Sequence, residues 1–141
     1  MRMLIPVDGS EASLRAVDHA IAAADLYAGG LDIHLLNVQF PILSGNVRAF
    51  ISEQKMEEYY HDEGSKAIGE AKRRLDAAGV SCHAHIGVGN VAETILRYAR
   101  ENSCEQICLS ASGMGTLSGI LLGSVASKLL HISEIPLLVV R

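Results

Sequence analysis

The chain of 141 residues is 49% hydrophobic and has a formal net charge of −4 at pH 7. This length suits one domain, expected over residues 1–141, and the dispersed basic residues exclude a nucleic-acid-binding surface. No apolar run reaches the roughly 18 residues of a membrane span, and the first residues lack the apolar stretch of a signal peptide, so we expect a cytoplasmic protein without membrane contact.

Strands and helices are predicted to alternate along the chain. Short apolar segments predict five strands, at 3–7, 31–38, 80–86, 105–110 and 136–140. Apolar residues three and four apart predict helices over 10–28, from the end of the connection 39–55 to Gly79, after Asn90, and over 124–133. Gly64 and Gly69 are expected to break or bend the second helix. This alternation indicates a parallel sheet that is covered by helices on both faces.

Two glycine-rich segments resemble phosphate-binding loops only superficially. The segment "GVGNVA" at 87–92 follows a strand, but the next strand ends without the carboxylate that a dinucleotide site requires. We therefore predict a tight turn into a helix capped by Asn90. The segment "GMGTLSG" at 113–119 lacks the Gly-Lys-Ser/Thr of a Walker A loop.

A third arrangement is better suited to phosphate. Gly113 follows the fourth strand, and Gly123 and Ser124 precede the last helix, whose N-terminal amides favour anions. Ser124 adds a hydroxyl group, and Gly123 permits close approach of the backbone. Two alternatives remain open from these residues, since Ser124 and Asp8 could each be an ordinary helix N-cap.

The whole chain resembles the universal stress protein (UspA) superfamily. The similarity lies in "PVDGSEASLRAVDHA", "LLNV", "VGNVAETIL" and, most diagnostically, "LLGSVASKLLHISEIPLLVV". The resemblance implies an open, doubly wound, Rossmann-like α/β fold in three layers (adenine nucleotide alpha hydrolase-like) with strand order 3-2-1-4-5. ATP-binding members carry Gly-x2-Gly-x9-Gly-Ser/Thr. Gly113, Gly123 and Ser124 match its last three elements, and Ser110 replaces the first glycine.

The resemblance also implies an ATP site, with Mg²⁺ held only through the phosphates. The backbone of Pro6 and Val7 would form the adenine pocket, and Asp8 would bind the ribose hydroxyls or help to place the metal-bound phosphates. The full set of expected ATP-binding residues is Pro6, Val7, Asp8, Val38, Leu109, Ser110, Gly113, Gly123, Ser124 and Val125. Val38 would pack on the base, and the loops 109–113 and 123–125 would wrap the ribose and triphosphate.

Ser110 is the departure from the family pattern. If its position requires a positive φ, a residue other than glycine costs about 1–2 kcal/mol and weakens ATP binding. If instead its Cβ projects into the path of the triphosphate, the site is blocked. Ser112 nearby supplies no positive charge for the phosphates.

The C-terminal strand is expected at the edge of the sheet, as in the family, where its unpaired backbone would accept another strand. We predict a homodimer through Leu138, Val139 and Val140. The connection 39–55 is expected to cover either the nucleotide site or the dimer interface.

The remaining reactive side chains do not indicate a metal site or a dedicated catalyst. His83 and His85 share a strand face and Cys82 points away from it, while His34 and the other histidines belong to separate elements. We expect surface or partly buried histidines, free thiols and no protein-held metal. No hydroxyl near the loop has a dedicated histidine base, so at most slow ATP hydrolysis is expected.

Two functions of different class are compatible with these patterns. The first is a dimeric, ATP-binding stress-response protein that acts as a nucleotide-dependent switch on a downstream protein that the sequence does not identify. The alternative is a nucleotide-free, dimeric interaction or chaperone-like protein of the same fold.

Overall fold

The computed structural model describes residues 1–42, 45–113 and 122–141, with the backbone alone at 47 and 48. The strands are β1 (Arg2–Pro6), β2 (Asp32–Gln39), β3 (Cys82–Val88), β4 (Gln106–Ser110) and β5 (Leu137–Val140). They form one parallel sheet in the order β3-β2-β1-β4-β5, which confirms the predicted fold class and strand order.

Helices cover both faces of the sheet, as predicted. Their bounds are α1 (Glu11–Ala23), α2 (Gly45–Arg48), α3 (Glu53–Ala77), α4 (Val91–Glu101) and α5 (Ser124–Ile132). The short α2 lies in the connection after β2, where no helix was predicted. α1 ends earlier than its pattern suggests, because a 3-10 turn over Ala24–Leu26 follows it. Among the described residues, no helix is both long and apolar enough to cross a membrane.

The core consists of two apolar clusters separated by the sheet. One contains Met3, Ile5 and Ile33 with residues of α1 and α3, and the other contains Leu4 and Leu36 with residues of α4 and α5. Neighbouring residues of a strand point to opposite faces, so a central strand needs a nearly continuous apolar sequence to fill both clusters. Met3, Leu4 and Ile5 of β1 are accordingly at most 1% exposed.

Gly64 and Gly69 were expected to break or bend the long helix, and the predicted break is wrong, because α3 continues through both. Gly64 is buried against β3, and a methyl group at this position would lie 2.7 Å from the Ile86 side chain. Its helix-propensity cost is therefore offset by the close packing of α3 on the sheet. Gly69 is exposed, with nothing within 4 Å of the equivalent methyl position.

These surroundings predict opposite effects for two alanine substitutions in the same helix. Gly69→Ala should raise the free energy of unfolding by about 1 kcal/mol, because alanine restricts the unfolded chain and meets no obstacle. Gly64→Ala should lower it by about 1–3 kcal/mol through overpacking against Ile86. Urea unfolding of both variants checks the signs, and destabilisation by Gly69→Ala would contradict this account of α3.

Candidate functional site

A cavity of about 670 Å³ opens beyond the carboxyl ends of β1, β2 and β4. The chain winds from β1 toward β2 and β3 on one side, whereas β4 and β5 lie on the other. The loops that leave β1 and β4 therefore diverge, and this is where open α/β sheets bind ligands. The predicted ATP-binding residues that line the cavity are Pro6, Val7, Asp8, Val38, Leu109, Ser110, Gly113, Gly123, Ser124 and Val125.

The Asp8 carboxylate is held at the cavity by the start of α1. Its Oδ1 accepts hydrogen bonds from the Ser10 amide at 2.9 Å and from the Ser10 hydroxyl at 2.5 Å. Ser10 itself caps α1, because its Oγ accepts from the Ser13 amide at 3.1 Å. The alternative in which Asp8 is the N-cap is therefore wrong, and Asp8 belongs to the cavity wall.

Gly113 allows the loop after β4 to reach the Asp8 carboxylate. A methyl group at residue 113 would lie only 2.8 Å from Asp8 Oδ2, closer than real Cβ atoms approach an oxygen. The glycine thus permits this close approach, and a larger residue would require the Asp8 carboxylate to move. Residues 114–121, which include most of the "GMGTLSG" segment, lie outside the described residues.

Ser110 carries no backbone strain. It is the last residue of β4, and among the described non-glycine residues a positive φ occurs only at Ser103. The loss of ATP affinity that we expected if residue 110 required a positive φ therefore does not apply. The Ser110 hydroxyl donates to the Ser112 carbonyl oxygen, so its side chain tethers its own loop.

The start of α5 decides between the two readings of Ser124. Gly123 is the N-cap and Ser124 is the first helical residue, so the alternative in which Ser124 caps the helix is wrong. The Gly123 amide donates to the Ala111 carbonyl at 2.6 Å and is not available to a ligand. The next amides, from Ser124 to Ala126, have no partner within the helix because they belong to its first turn. Their residues line the cavity.

The expected adenine pocket contains a polar network that sequence reasoning missed. The Val7 amide donates to Leu36 O at 2.9 Å, and the Val7 carbonyl accepts from the buried Asn37 Nδ2 at 2.8 Å. Asn37 Oδ1 in turn accepts from Gln39 Nε2 at 2.6 Å. Val7 therefore shapes the wall while its polar groups are already paired. The signal was present in "LLNV", where an asparagine lies within a buried apolar strand.

The cavity residues that were not predicted include Phe40, Glu63 and Lys66. Phe40 is 74% exposed at the beginning of the connection 39–55, so this end of the connection lies beside the cavity. Lys66 on α3 is the one cationic side chain among the described lining residues. Its Nζ lies 2.8 Å from Glu63 Oε1, and this hydrogen bond raises the pKa of Lys66. An ion pair that contains a cationic group thus lines the cavity, supplied by a helix distant in sequence from the loop.

Comparisons with known proteins agree with this architecture. The family model "Universal stress protein family" matches residues 1–141. The chain belongs to the universal stress protein family. It is 31% identical to Universal stress protein MJ0531 of Methanocaldococcus jannaschii over 141 residues, which are 99% of this chain and 81% of that protein.

Two solved structures show the same likeness. The hypothetical protein MJ0577 is 29% identical, with a TM-score of 0.83 over 99% of this chain and 94% of that one. A universal stress protein solved in complex with cAMP is 26% identical, with a TM-score of 0.68 over 100% of this chain and 96% of that one. The resemblance predicted from the sequence is therefore confirmed at the level of family and fold.

Proposed function

We propose that this universal stress protein binds an adenine nucleotide, ATP with Mg²⁺ on its phosphates, and acts as a nucleotide-dependent switch or binding module. The observation that carries the proposal is the meeting of Asp8, Gly113 and the first turn of α5 in one cavity of about 670 Å³. That volume lies within the range of small-molecule and cofactor sites. The relative solved with cAMP supports the adenine nucleotide class.

The cavity is lined by both apolar and polar groups, as a nucleotide site requires. The apolar side chains of Val38 and Val91 line the cavity and offer a surface for a base, and the exposed Phe40 also lines it. The N-terminal amides of α5 favour phosphate oxygens. The Asp8 carboxylate is an acceptor for ribose hydroxyls or for a metal ion that bridges to phosphate. Direct contact between two anions would be repulsive, so Asp8 requires one of these two partners.

The described cavity residues favour binding over catalysis. They include no histidine and no cysteine. The Ser13 and Ser110 hydroxyls donate to the carbonyl oxygens of Ser10 and Ser112, and neither has a side-chain base to activate it. We therefore propose that ATP hydrolysis, if present, is slow and is not the main function.

Gly113→Ala tests the site most selectively. The added methyl group must displace the Asp8 carboxylate, so we expect the dissociation constant for Mg-ATP to rise about tenfold, equivalent to about 1.4 kcal/mol. Gly29→Ala is the matched control, because Gly29 has open space and lies at the opposite end of the sheet. Isothermal titration with ATP, AMP and cAMP measures both effects, and circular dichroism checks that the variants fold.

The titration also separates the two functional classes. Equal affinity of the wild type and Gly113→Ala for Mg-ATP would show that Asp8 and Gly113 do not belong to the binding site. Failure of the wild type to saturate with any of the three nucleotides would favour the alternative, a nucleotide-free interaction or chaperone-like protein.

We further propose that the protein is a homodimer through β5. This strand is an edge strand of the sheet and pairs with β4 on one side. The Val140 carbonyl accepts from the Ala111 amide, so the backbone groups of the preceding Val139 face away from β4, toward the free edge. Such an edge is a template for pairing with a second copy.

Val139→Pro should convert the dimer to a monomer in sedimentation experiments. Proline removes the outward amide, while the hydrogen bonds from Leu138 and Val140 to β4 stay in place. Val139→Thr is the control, because it keeps both the amide and the β-branched shape. A dimeric Val139→Pro protein, or a wild type that is monomeric at micromolar concentration, would contradict this interface.

A further inference from the structure

We propose that Asp32, His34 and His83 form a binding site for a divalent transition-metal ion, with Zn²⁺ as the best-matched candidate. The three residues lie near the amino ends of β2 and β3, at the opposite end of the sheet from the nucleotide cavity. The inference is therefore independent of the proposed nucleotide function. It revises the expectation that the histidines hold no metal.

The register of the sheet brings the three side chains together. His34 pairs with His83 across β2 and β3, and Asp32 lies two residues before His34 on the same face. His83 Nε2 lies 3.2 Å from Asp32 Oδ1, and His34 Nε2 lies 3.6 Å from Asp32 Oδ2. Zinc bonds of about 2.0–2.1 Å at the tetrahedral angle place ligand atoms about 3.3–3.4 Å apart. Both distances from Asp32 are near this value, and one ligand atom from each of the three residues lies within 4.8 Å of the other two, so a single ion can reach all three.

The His34 ring provides the second observation that points to a ligand. Its side chain is 9% exposed, and its Nε2 is buried without a hydrogen-bond partner among the described residues. A buried polar atom left unpaired is costly, and a metal ion would satisfy it. His34 Nδ1 lies 3.0 Å from His85 Nε2, so it can donate its proton there and leave the Nε2 lone pair facing Asp32 and His83. Metal-bound histidines usually have such a partner on their second nitrogen.

The protonation states of the cluster suit a metal ion at neutral pH. Burial lowers the pKa of His34, so its imidazole is neutral and able to coordinate. Burial alone would raise the pKa of Asp32, but the hydrogen bond from Arg2 and the nearby imidazoles hold it below its usual value. Arg2 Nε lies 3.0 Å from Asp32 Oδ2 and fixes the carboxylate. Its positive charge opposes a cation, so we expect moderate affinity.

The types of ligand and the solvent exposure of the site favour zinc with one coordination position open to water. Two imidazoles and one carboxylate are ligands of borderline metals, whereas Mg²⁺ and Ca²⁺ prefer oxygen donors. The His83 side chain is 58% exposed, so water can complete a tetrahedral shell from the solvent side. Cys82 takes no part, because it packs into the cluster on the other face of the sheet.

The test uses the full chain, freed of metal by dialysis against a chelator and titrated with Zn²⁺ by calorimetry. We expect one Zn²⁺ per chain in the wild type, and an affinity at least about tenfold lower in His83→Ala. His83 is largely exposed, so this change does not disturb the core. His61→Ala is the matched control, because His61 is an exposed histidine beside Asp62 on α3. Cys82→Ser controls for binding through a thiol.

A spectroscopic readout accompanies the titration. Co²⁺ in place of Zn²⁺ should give the intense visible absorption of a tetrahedral site in the wild type and in His61→Ala, and lose it in His83→Ala. The proposal is overturned if the wild type binds no stoichiometric Zn²⁺, if His83→Ala binds as tightly as the wild type, or if Cys82→Ser removes binding.

Discussion

The Asp8 carboxylate lies close to the Gly113 backbone. This contact joins the carboxyl ends of β1 and β4, two adjacent strands whose loops then run in different directions. Because residue 113 has no side chain, the loop after β4 can approach to the point where a methyl group would lie 2.8 Å from Asp8 Oδ2. The other carboxylate oxygen is fixed by Ser10, the N-cap of α1. One acidic side chain thereby contacts both the start of α1 and the loop after β4.

Ala111 attaches the loop after β4 to two other elements. The Gly123 amide donates to the Ala111 carbonyl, while the Ala111 amide donates to Val140 at the end of β5. The loop after β4 is therefore attached both to the start of α5 and to the edge strand. This shared attachment is a physical connection between the cavity and the strand that we propose as the dimer interface.

Local patterns in the sequence were sufficient to predict the strands, the layers and the turn into α4. Asn90 caps α4 through the Glu93 amide, as its spacing predicts. Local patterns failed where contacts between distant segments decide the outcome. Gly64 remains helical because Ile86 packs against it, and Lys66 reaches the cavity only because α3 crosses over this end of the sheet. The proximity of His34 and His83 likewise depends on the register of two strands, which periodicity does not specify.

The central claim is that an adenine nucleotide occupies the cavity at the carboxyl ends of the strands. Two-dimensional ¹⁵N–¹H spectra of the labelled protein during a Mg-ATP titration test it most directly, since they report both binding and location. We predict saturable shifts of the Asp8, Val38, Ser124 and Val125 amides, with little change around Asp32. Shifts that do not saturate at millimolar ATP, or that are centred away from these residues, would contradict the account.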